Sequence, residues 1–210
     1  MTKRNFKKRL AATTVGVFLC ALGISLCLQG NVGLDPFGAF NKGMGALLGL
    51  SLGNFQLLIN CFIIAAVFYF NRSLIGPGTL ITMVLVGYLI DLFSWLHSLL
   101  FNFSPGWLTS SIHLIAGLII FTLGLSLHIL ADLGVGPYDA ISVTIVERFP
   151  IPFRVCRIAQ DVAFMSMAWL VKAPLGPATI IMAFFIGPLV TFWSRRLVAP
   201  LLGLPSEAVR

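Results

Sequence analysis

The chain has 210 residues, of which 58% are hydrophobic and only 10% are charged, and its formal net charge is +7. A soluble domain usually carries roughly 25% charged residues, so this composition excludes a water-soluble globule and indicates an integral membrane protein. The basic residues lie at the chain start and in short connections, which is typical of membrane topology and argues against a nucleic-acid-binding face.

Six apolar segments approach the ~20 residues that a helix needs to cross a bilayer. Backbone amides in hydrocarbon must be hydrogen-bonded within their own segment, so each segment is predicted to be a helix. The first is expected to stay uncleaved, because no small-x-small cleavage site follows it. In chain order, the predicted spans are Ala11–Gln29, Leu52–Phe70, Pro77–His97, Leu108–Ala131, Phe153–Val171 and Leu175–Ser194.

The distribution of lysine and arginine predicts that both termini are cytoplasmic, in a bacterial inner membrane. With six spans, twelve of the fourteen basic residues fall on the inner side, and only Lys42 and Lys172 fall outside. The positive-inside rule favours this orientation. The chain then divides into a basic N-terminus (1–10), a three-helix unit (11–97), an outer loop (98–107), a second three-helix unit (108–194) and a tail (195–210).

The two three-helix units are predicted to be copies of one repeat. LGISLCLQGNVGLDPFGAF (Leu22–Phe40) matches LGLSLHILADLGVGPYDAI (Leu123–Ile141) at an offset of 101, and Ile75–Phe93 matches Leu175–Trp193 at an offset of 100. Because each copy crosses the membrane three times, the second copy enters from the opposite side. This arrangement predicts an inverted-topology repeat, whose binding sites in transporters lie near the midplane where the copies meet.

Each copy carries a matched break between its first two spans. Asn31–Pro36 and Asp132–Pro137 each place glycine, which permits unusual backbone angles, shortly before a proline suited to the first turn of a helix. The segment that follows is too short to span a bilayer. It either dips into the membrane as a re-entrant half-helix, whose free amide donors favour an anion, or lies flat at the interface.

The second and fifth spans carry polar residues at matched positions. Arg157 and Asp161 are spaced i, i+4, so they can pair on one helix face, and Gln56 and Asn60 hold the same positions in the first copy. Intramembrane polar residues either line a functional site or hold helices together through hydrogen bonds. Because the second copy carries more charge, a site built from both copies is expected to be asymmetric and weighted toward the second.

The matched breaks resemble those of the YczE/YyaS/YitT-like group of small bacterial multi-pass membrane proteins. The resemblance rests on a Gly-x-x-Pro-aromatic break after an early span, on its repetition about a hundred residues later, and on Gly-Pro-x-Thr opening the third span of each copy. Members usually have a Pro-Trp-Asp-like triplet after the first break. Here Pro36-Phe37-Gly38 lacks the acid, whereas Pro137-Tyr138-Asp139 keeps one.

The resemblance implies a multi-pass membrane fold and leaves the substrate open. Six spans in about 200 residues also resemble the substrate-binding subunits of energy-coupling-factor vitamin transporters, which implies a separate coupling subunit as a partner. No nucleotide-binding loop, catalytic triad spacing or metal motif is present in the sequence, so neither an enzyme nor a cofactor is predicted.

The sequence therefore predicts an all-α integral membrane protein with six transmembrane helices in two inverted three-helix repeats, each with a broken or re-entrant short helix. The predicted function is a small-solute transporter or a substrate-binding transport subunit; the alternative is a non-transporting accessory or scaffolding membrane protein. The expected partners are the lipid bilayer, a small-molecule solute, and a coupling subunit or homo-oligomer, but no nucleic acid. The predicted substrate-binding residues are Asn31, Asp35, Pro36, Gln56, Asn60, Asp132, Pro137, Tyr138, Asp139, Arg157 and Asp161.

Overall fold

The computed structural model describes residues 3–101 and 106–204, and over those ranges its regular elements are all helical, as predicted. Positions 1–2 of the basic N-terminus, 102–105 of the predicted outer loop and 205–210 of the predicted tail lie outside the described residues. A 3-10 turn (Arg72–Leu74) precedes α4, and a π-helical turn (Ser194–Val198) joins α8 to α9. The helices are α1 (Lys3–Gln29), α2 (Pro36–Leu47), α3 (Leu52–Phe70), α4 (Pro77–Leu100), α5 (Trp107–Ala131), α6 (Pro137–Arg148), α7 (Phe153–Leu170), α8 (Pro177–Trp193) and α9 (Ala199–Leu202).

Five helical stretches within the described part of the chain are long and apolar enough to cross a membrane. They correspond to five of the six predicted spans. The remaining prediction, Phe153–Val171, forms α7, which carries the charged residues Arg154, Arg157 and Asp161 and is not one of the five. The five stretches are Phe6–Gln29, Leu52–Phe70, Pro77–Leu100, Trp107–Ala131 and Pro177–Leu202.

Both predicted helix breaks are confirmed, and both have the same backbone geometry. Asn31, two residues after the end of α1, and Asp132, directly after α5, each have a φ of 52°, and Gly33 and Gly134 follow with φ of 94° and 111°. Glycine adopts such angles at little cost, and Asn and Asp do so more readily than other residues. A proline then opens a helix of 12 residues in each copy, α2 and α6.

Each chain reversal docks on a helix start in the other copy. The carbonyl oxygen of Val32 accepts a hydrogen bond from the Ala178 amide at the start of α8, at 2.9 Å. The carbonyl oxygen of Leu133 accepts one from the Gly78 amide at the start of α4, at 2.7 Å. These are one contact made twice, because the two acceptors are 101 residues apart and the two donors are 100 apart.

The helix starts of α4 and α8 are capped in the same way. The Gly76 amide donates to Thr79 Oγ1 and the Gly176 amide donates to Thr179 Oγ1, both at 3.1 Å. Both threonines are fully buried. A Cβ on Gly33 would lie 2.4 Å from the Gly176 amide nitrogen, so the reversal can approach this start only because it has no side chain.

Glycine also sets the packing of α1 along α5. A Cβ on Gly124 would lie 2.6 Å from the Gly16 carbonyl oxygen, and a Cβ on Gly23 would lie 2.6 Å from the Gly117 carbonyl oxygen. Small residues of this kind allow membrane helices to bring their backbones together. Because residue 16 meets 124 while residue 23 meets 117, the two helices run antiparallel.

Candidate functional site

A cavity of about 110 Å³ lies where the N-terminal ends of α2 and α6 meet in the bundle. One water molecule needs roughly 10–15 Å³ on the same measure, so the cavity has room for several waters or for one small solute. The sequence-predicted residues that line it are Asp35, Pro36, Gln56, Asn60, Pro137, Tyr138, Asp139, Arg157 and Asp161.

An aromatic stack joins the two short helices beside the cavity. The rings of Phe37 and Tyr138, the second residues of α2 and α6, are stacked with centroids 4.7 Å apart. Phe164 of α7 contacts both rings edge-on, at 5.4 and 5.2 Å. Phe37 was not among the predicted site residues, although its offset of 101 from Tyr138 is the signal that links the two.

The second copy contributes a paired charge cluster. Arg157 Nε donates to Asp161 Oδ2 at 3.2 Å, which confirms the predicted i, i+4 pair, and Arg157 Nη1 pairs with Asp139 Oδ1. The Tyr138 hydroxyl donates to Asp161 Oδ1 at 2.5 Å, and the guanidinium lies over the Tyr138 ring. Two carboxylates therefore face one guanidinium, so the cluster has a formal charge of −1 and its guanidinium is engaged on both sides.

Gln160 and Ser142 fix α6 against α7 beside this cluster. Gln160 Nε2 donates to the Tyr138 carbonyl oxygen at 2.9 Å, and the Ser142 hydroxyl donates to Gln160 Oε1 at 2.5 Å. Both side chains are buried. Neither was predicted, because the i, i+4 spacing that identified Arg157 and Asp161 does not select a neighbour on the adjacent face.

The first copy contributes polar atoms without partners. Asp35 caps α2 by accepting from the Gly38 amide through Oδ2 at 3.0 Å, while its Oδ1 is buried with no hydrogen-bond partner within the protein. Gln56 Oε1 and Asn60 Oδ1 are also buried and unpartnered. Asn60 Nδ2 donates to the Met83 carbonyl oxygen at 3.3 Å, so the amide orientation leaves its oxygen free.

His128 adds a fourth unpartnered atom to the lining, outside the predicted set. Its Nε2 lies 3.4 Å from Thr82 Oγ1, and the Thr82 hydroxyl donates its proton to the Gly78 carbonyl oxygen at 2.9 Å. The hydroxyl oxygen can therefore only accept from Nε2, which leaves Nδ1 as an acceptor in the neutral ring. That Nδ1 is buried and has no partner within the protein.

Asn31 and Asp132 do not belong to the cavity, which corrects their predicted place in the central site. Both are exposed, and both hold the left-handed position that ends α1 or α5. The Asp132 carboxylate, whose side chain is 81% exposed, pairs with Arg9 Nη1 at 3.1 Å. Their polarity is explained by the chain reversal, because Asn and Asp tolerate left-handed angles better than other side chains do.

The cavity does not have the features of a metal site or of the anion site expected at free helix starts. Within residues 3–101 and 106–204, no three His, Cys, Asp or Glu side chains gather closely enough to hold a metal ion. A carboxylate already stands at each short-helix start, since Asp35 caps α2 and Asp139 lies in the first turn of α6.

Comparison with known proteins gives a family but no established activity. The uncharacterized membrane protein YczE of Bacillus subtilis (strain 168) is 27% identical over 178 residues, covering 84% of this chain and 81% of YczE. An uncharacterized protein of Haemophilus influenzae is 24% identical over 199 residues, covering 92% and 88% of the two chains. The uncharacterized protein YyaS of Bacillus subtilis is 26% identical over 171 residues, covering 80% and 83%.

No solved structure matches the chain. The matched relatives are similar over most of their own length, so the resemblance extends beyond the helix breaks. Residues 7–195 match the family of unknown function DUF6198. The chain belongs to this family, and the predicted resemblance to YczE- and YyaS-like membrane proteins is confirmed.

Proposed function

We propose that the protein is a small-solute membrane transporter, or the substrate-binding subunit of one, with its site in the central cavity. The observation that carries the proposal is that four buried, unpartnered polar atoms, on Asp35, Gln56, Asn60 and His128, belong to the lining of one cavity. A buried polar atom left without a partner costs roughly 1–3 kcal/mol. A bound solute that satisfies these atoms offsets that cost.

The antiparallel packing of α1 and α5 supports an inverted repeat. These helices hold matched places in the two copies. Gly16 matches Gly117 and Gly23 matches Gly124 at the offset of 101, so the contact of Gly16 with Gly124 and the contact of Gly23 with Gly117 are counterparts of each other. The reversal contacts of Val32 and Leu133 exchange in the same way. Two matched helices that cross a membrane in opposite directions are the arrangement found in inverted-repeat transporters.

The meeting of Phe37 with Tyr138 supports re-entrant short helices. Arg9 near the start of α1 reaches Asp132 after α5, and Gly30 after α1 abuts His113 near the start of α5. The ends of α1 and α5 therefore lie at opposite ends of the bundle, roughly 30 Å apart at 1.5 Å per residue. The two rings, eight and seven residues beyond those ends, are nevertheless stacked, so α2 and α6 enter the bundle from opposite sides.

In this arrangement α7 is also a transmembrane span, the fifth in chain order. Its charges are compatible with that role because Arg157 and Asp161 face the central cluster, while Arg154 lies in its first turn. Intramembrane charges commonly pair and face the bundle interior. The distribution of the basic residues then favours cytoplasmic termini and a bacterial inner membrane.

Solute flux into proteoliposomes tests the proposal. The panel contains radiolabelled small cations, anions and neutral solutes, and the variants are Val86→Phe and Val84→Phe, both on α4. Val86 lines the cavity and is 8% exposed, whereas Val84 is 42% exposed on the outer face. We expect flux of at least one solute, abolished by Val86→Phe and retained by Val84→Phe.

An accessory or scaffolding role is the alternative, and the internal pairing of the second-copy cluster favours it. If Arg157, Asp139 and Asp161 serve only to hold helices together, the protein binds and moves no solute and co-purifies with a partner protein. Folded protein that gives neither flux nor thermal stabilisation with any member of the panel refutes the transport proposal and leaves this alternative.

A further inference from the structure

We infer that the solute is a small organic cation, with an ammonium group facing the first copy and a short apolar body. This inference rests on the proposed function, because it assigns a substrate class to the same cavity. It is carried by the chemistry of the unpartnered atoms, by the excess of acidic groups, and by the apolar remainder of the lining.

The four unpartnered atoms that belong to the cavity lining are all hydrogen-bond acceptors. Asp35 Oδ1, Gln56 Oε1 and Asn60 Oδ1 are oxygens, and His128 Nδ1 is the acceptor nitrogen of its neutral ring. The side chains of Gln56, Asn60 and His128 are each more than nine-tenths buried. A primary ammonium carries three N–H donors and no acceptor, so it complements such a set.

The formal charge of the lining also favours a cation. Asp35, Asp139 and Asp161 contribute three carboxylates, and Arg157 contributes one permanent positive charge. With the other titratable side chains of the lining, Cys20, His128 and Tyr138, in their neutral forms, the lining has a formal charge of −2. A monovalent cation reduces that excess, whereas a carboxylate or phosphate increases it.

The arginine of the lining and the start of α2 already face carboxylates of the protein. The guanidinium of Arg157 is engaged by Asp139 and Asp161 and lies over the Tyr138 ring. The Gly38 amide at the start of α2 donates to Asp35. Two groups that normally hold an anion, an arginine and the start of α2, therefore already bond carboxylates of the protein, and the carboxylate of Asp139 stands in the first turn of α6.

The rest of the lining is apolar and accounts for an organic body rather than a bare ion. Four helices other than α2 and α6 contribute branched or aromatic side chains to it. A group of three or more metal-ligating residues does not occur in the described ranges. The apolar lining residues are Val17, Ile24, Val86, Ile90, Phe121, Leu125, Met182 and Ile186.

Thermal unfolding of the purified full-length chain tests this inference with a matched series of four-carbon compounds. The series is butylammonium chloride, sodium butyrate and butanol, with potassium chloride at equal ionic strength, and the four tryptophans report unfolding. A compound that binds only the folded state raises the midpoint in proportion to ln(1 + [L]/Kd). We expect a saturable rise with butylammonium and not with the other three.

Three variants locate the effect. Asp35→Asn removes the charge but keeps a good cap for α2, because Asn and Asp cap helices equally well. We expect it to weaken the apparent butylammonium affinity by at least about tenfold, the effect of one charge-assisted hydrogen bond. Gln56→Met keeps the side-chain volume, removes an acceptor and is expected to weaken affinity about fivefold. Asp132→Asn, which makes the same charge change outside the cavity, is the control and is expected to have no effect.

The outcomes separate this inference from the proposed function. A rise with butyrate or butanol but not with the amine overturns the cation assignment and leaves a solute site intact. A potassium response equal to that of the amine overturns the organic part. Equal weakening by Asp35→Asn and Asp132→Asn overturns the assignment to this cavity. Absence of any rise overturns the inference, and only an additional absence of flux across the solute panel refutes the proposed function.

Discussion

Replacing Gly124 with alanine is predicted to force α1 and α5 apart at one of their close backbone contacts. The added Cβ would lie 2.6 Å from both the Cys20 amide nitrogen and the Gly16 carbonyl oxygen. These are backbone atoms, so they cannot rotate away. Ordinary contact begins at 3.4 Å, and the helices must therefore separate locally by about 0.8 Å. Overpacking of this kind costs roughly 1–3 kcal/mol of unfolding free energy.

The assay is unfolding of the purified protein in detergent, followed by tryptophan fluorescence over a denaturant series. Gly187→Ala is the matched control, because Gly187 is also within a predicted span, on α8, and a Cβ there meets nothing within 4 Å. We expect the control to leave the unfolding free energy unchanged or to raise it by up to about 1 kcal/mol, because alanine is a better helix former than glycine. Equal free energies for the two variants would refute the close crossing and, with it, the glycine argument for the antiparallel pair.

Three further predictions use the same unfolding assay. Asp161→Asn leaves a buried arginine with one carboxylate and should lower the unfolding free energy by about 3–5 kcal/mol. Asp132→Asn removes an exposed ion pair and should lower it by less than about 1 kcal/mol. Similar losses for the two variants would contradict the buried network. Thr179→Val removes the cap of α8 and should cost about 1 kcal/mol, and an unchanged midpoint would show that the cap is dispensable. Gly33→Ala puts a side chain on a residue with a φ of 94° and makes it clash with α8, whereas Gly49→Ala does so at a φ of 68° in open space. Gly33→Ala should therefore be more destabilising by at least about 1 kcal/mol. Equal effects would show that backbone strain alone is the cause.

Helix ends were predictable where the sequence marks them and not elsewhere. α1 and α5 end at Gln29 and Ala131, as predicted, because a left-handed residue and a glycine follow each. The start of α1 was predicted at Ala11, yet the helix begins at Lys3. Apolar composition predicts only the part of a helix that lies in the membrane. Lysine and arginine are good helix formers, so the helix can extend beyond that part into water.

The site was predictable in its members and not in its pairing. Most of the polar residues that line the cavity were predicted from two features of the sequence. These are the i, i+4 polar residues of the second and fifth spans and the matched helix breaks. Asn31 and Asp132 were misplaced because the sequence does not distinguish polarity required by a reversal from polarity required by a site. The stack of Phe37 on Tyr138 follows from the repeat only if the two residues lie near its symmetry axis, and the offset alone does not give that distance.

The two copies differ in a way that reverses the expected weighting of the site. The second copy carries more charge at the matched positions, but its Arg157 cluster satisfies itself through Asp139, Asp161 and Tyr138. The free acceptors come mainly from the first copy, where Gln56 and Asn60 have no charge to pair with. A paired cluster is suited to a rigid wall, and an unpaired set is suited to recognition. Substitutions in the first-copy set should therefore change solute affinity before stability, and those in the second-copy cluster should change stability first.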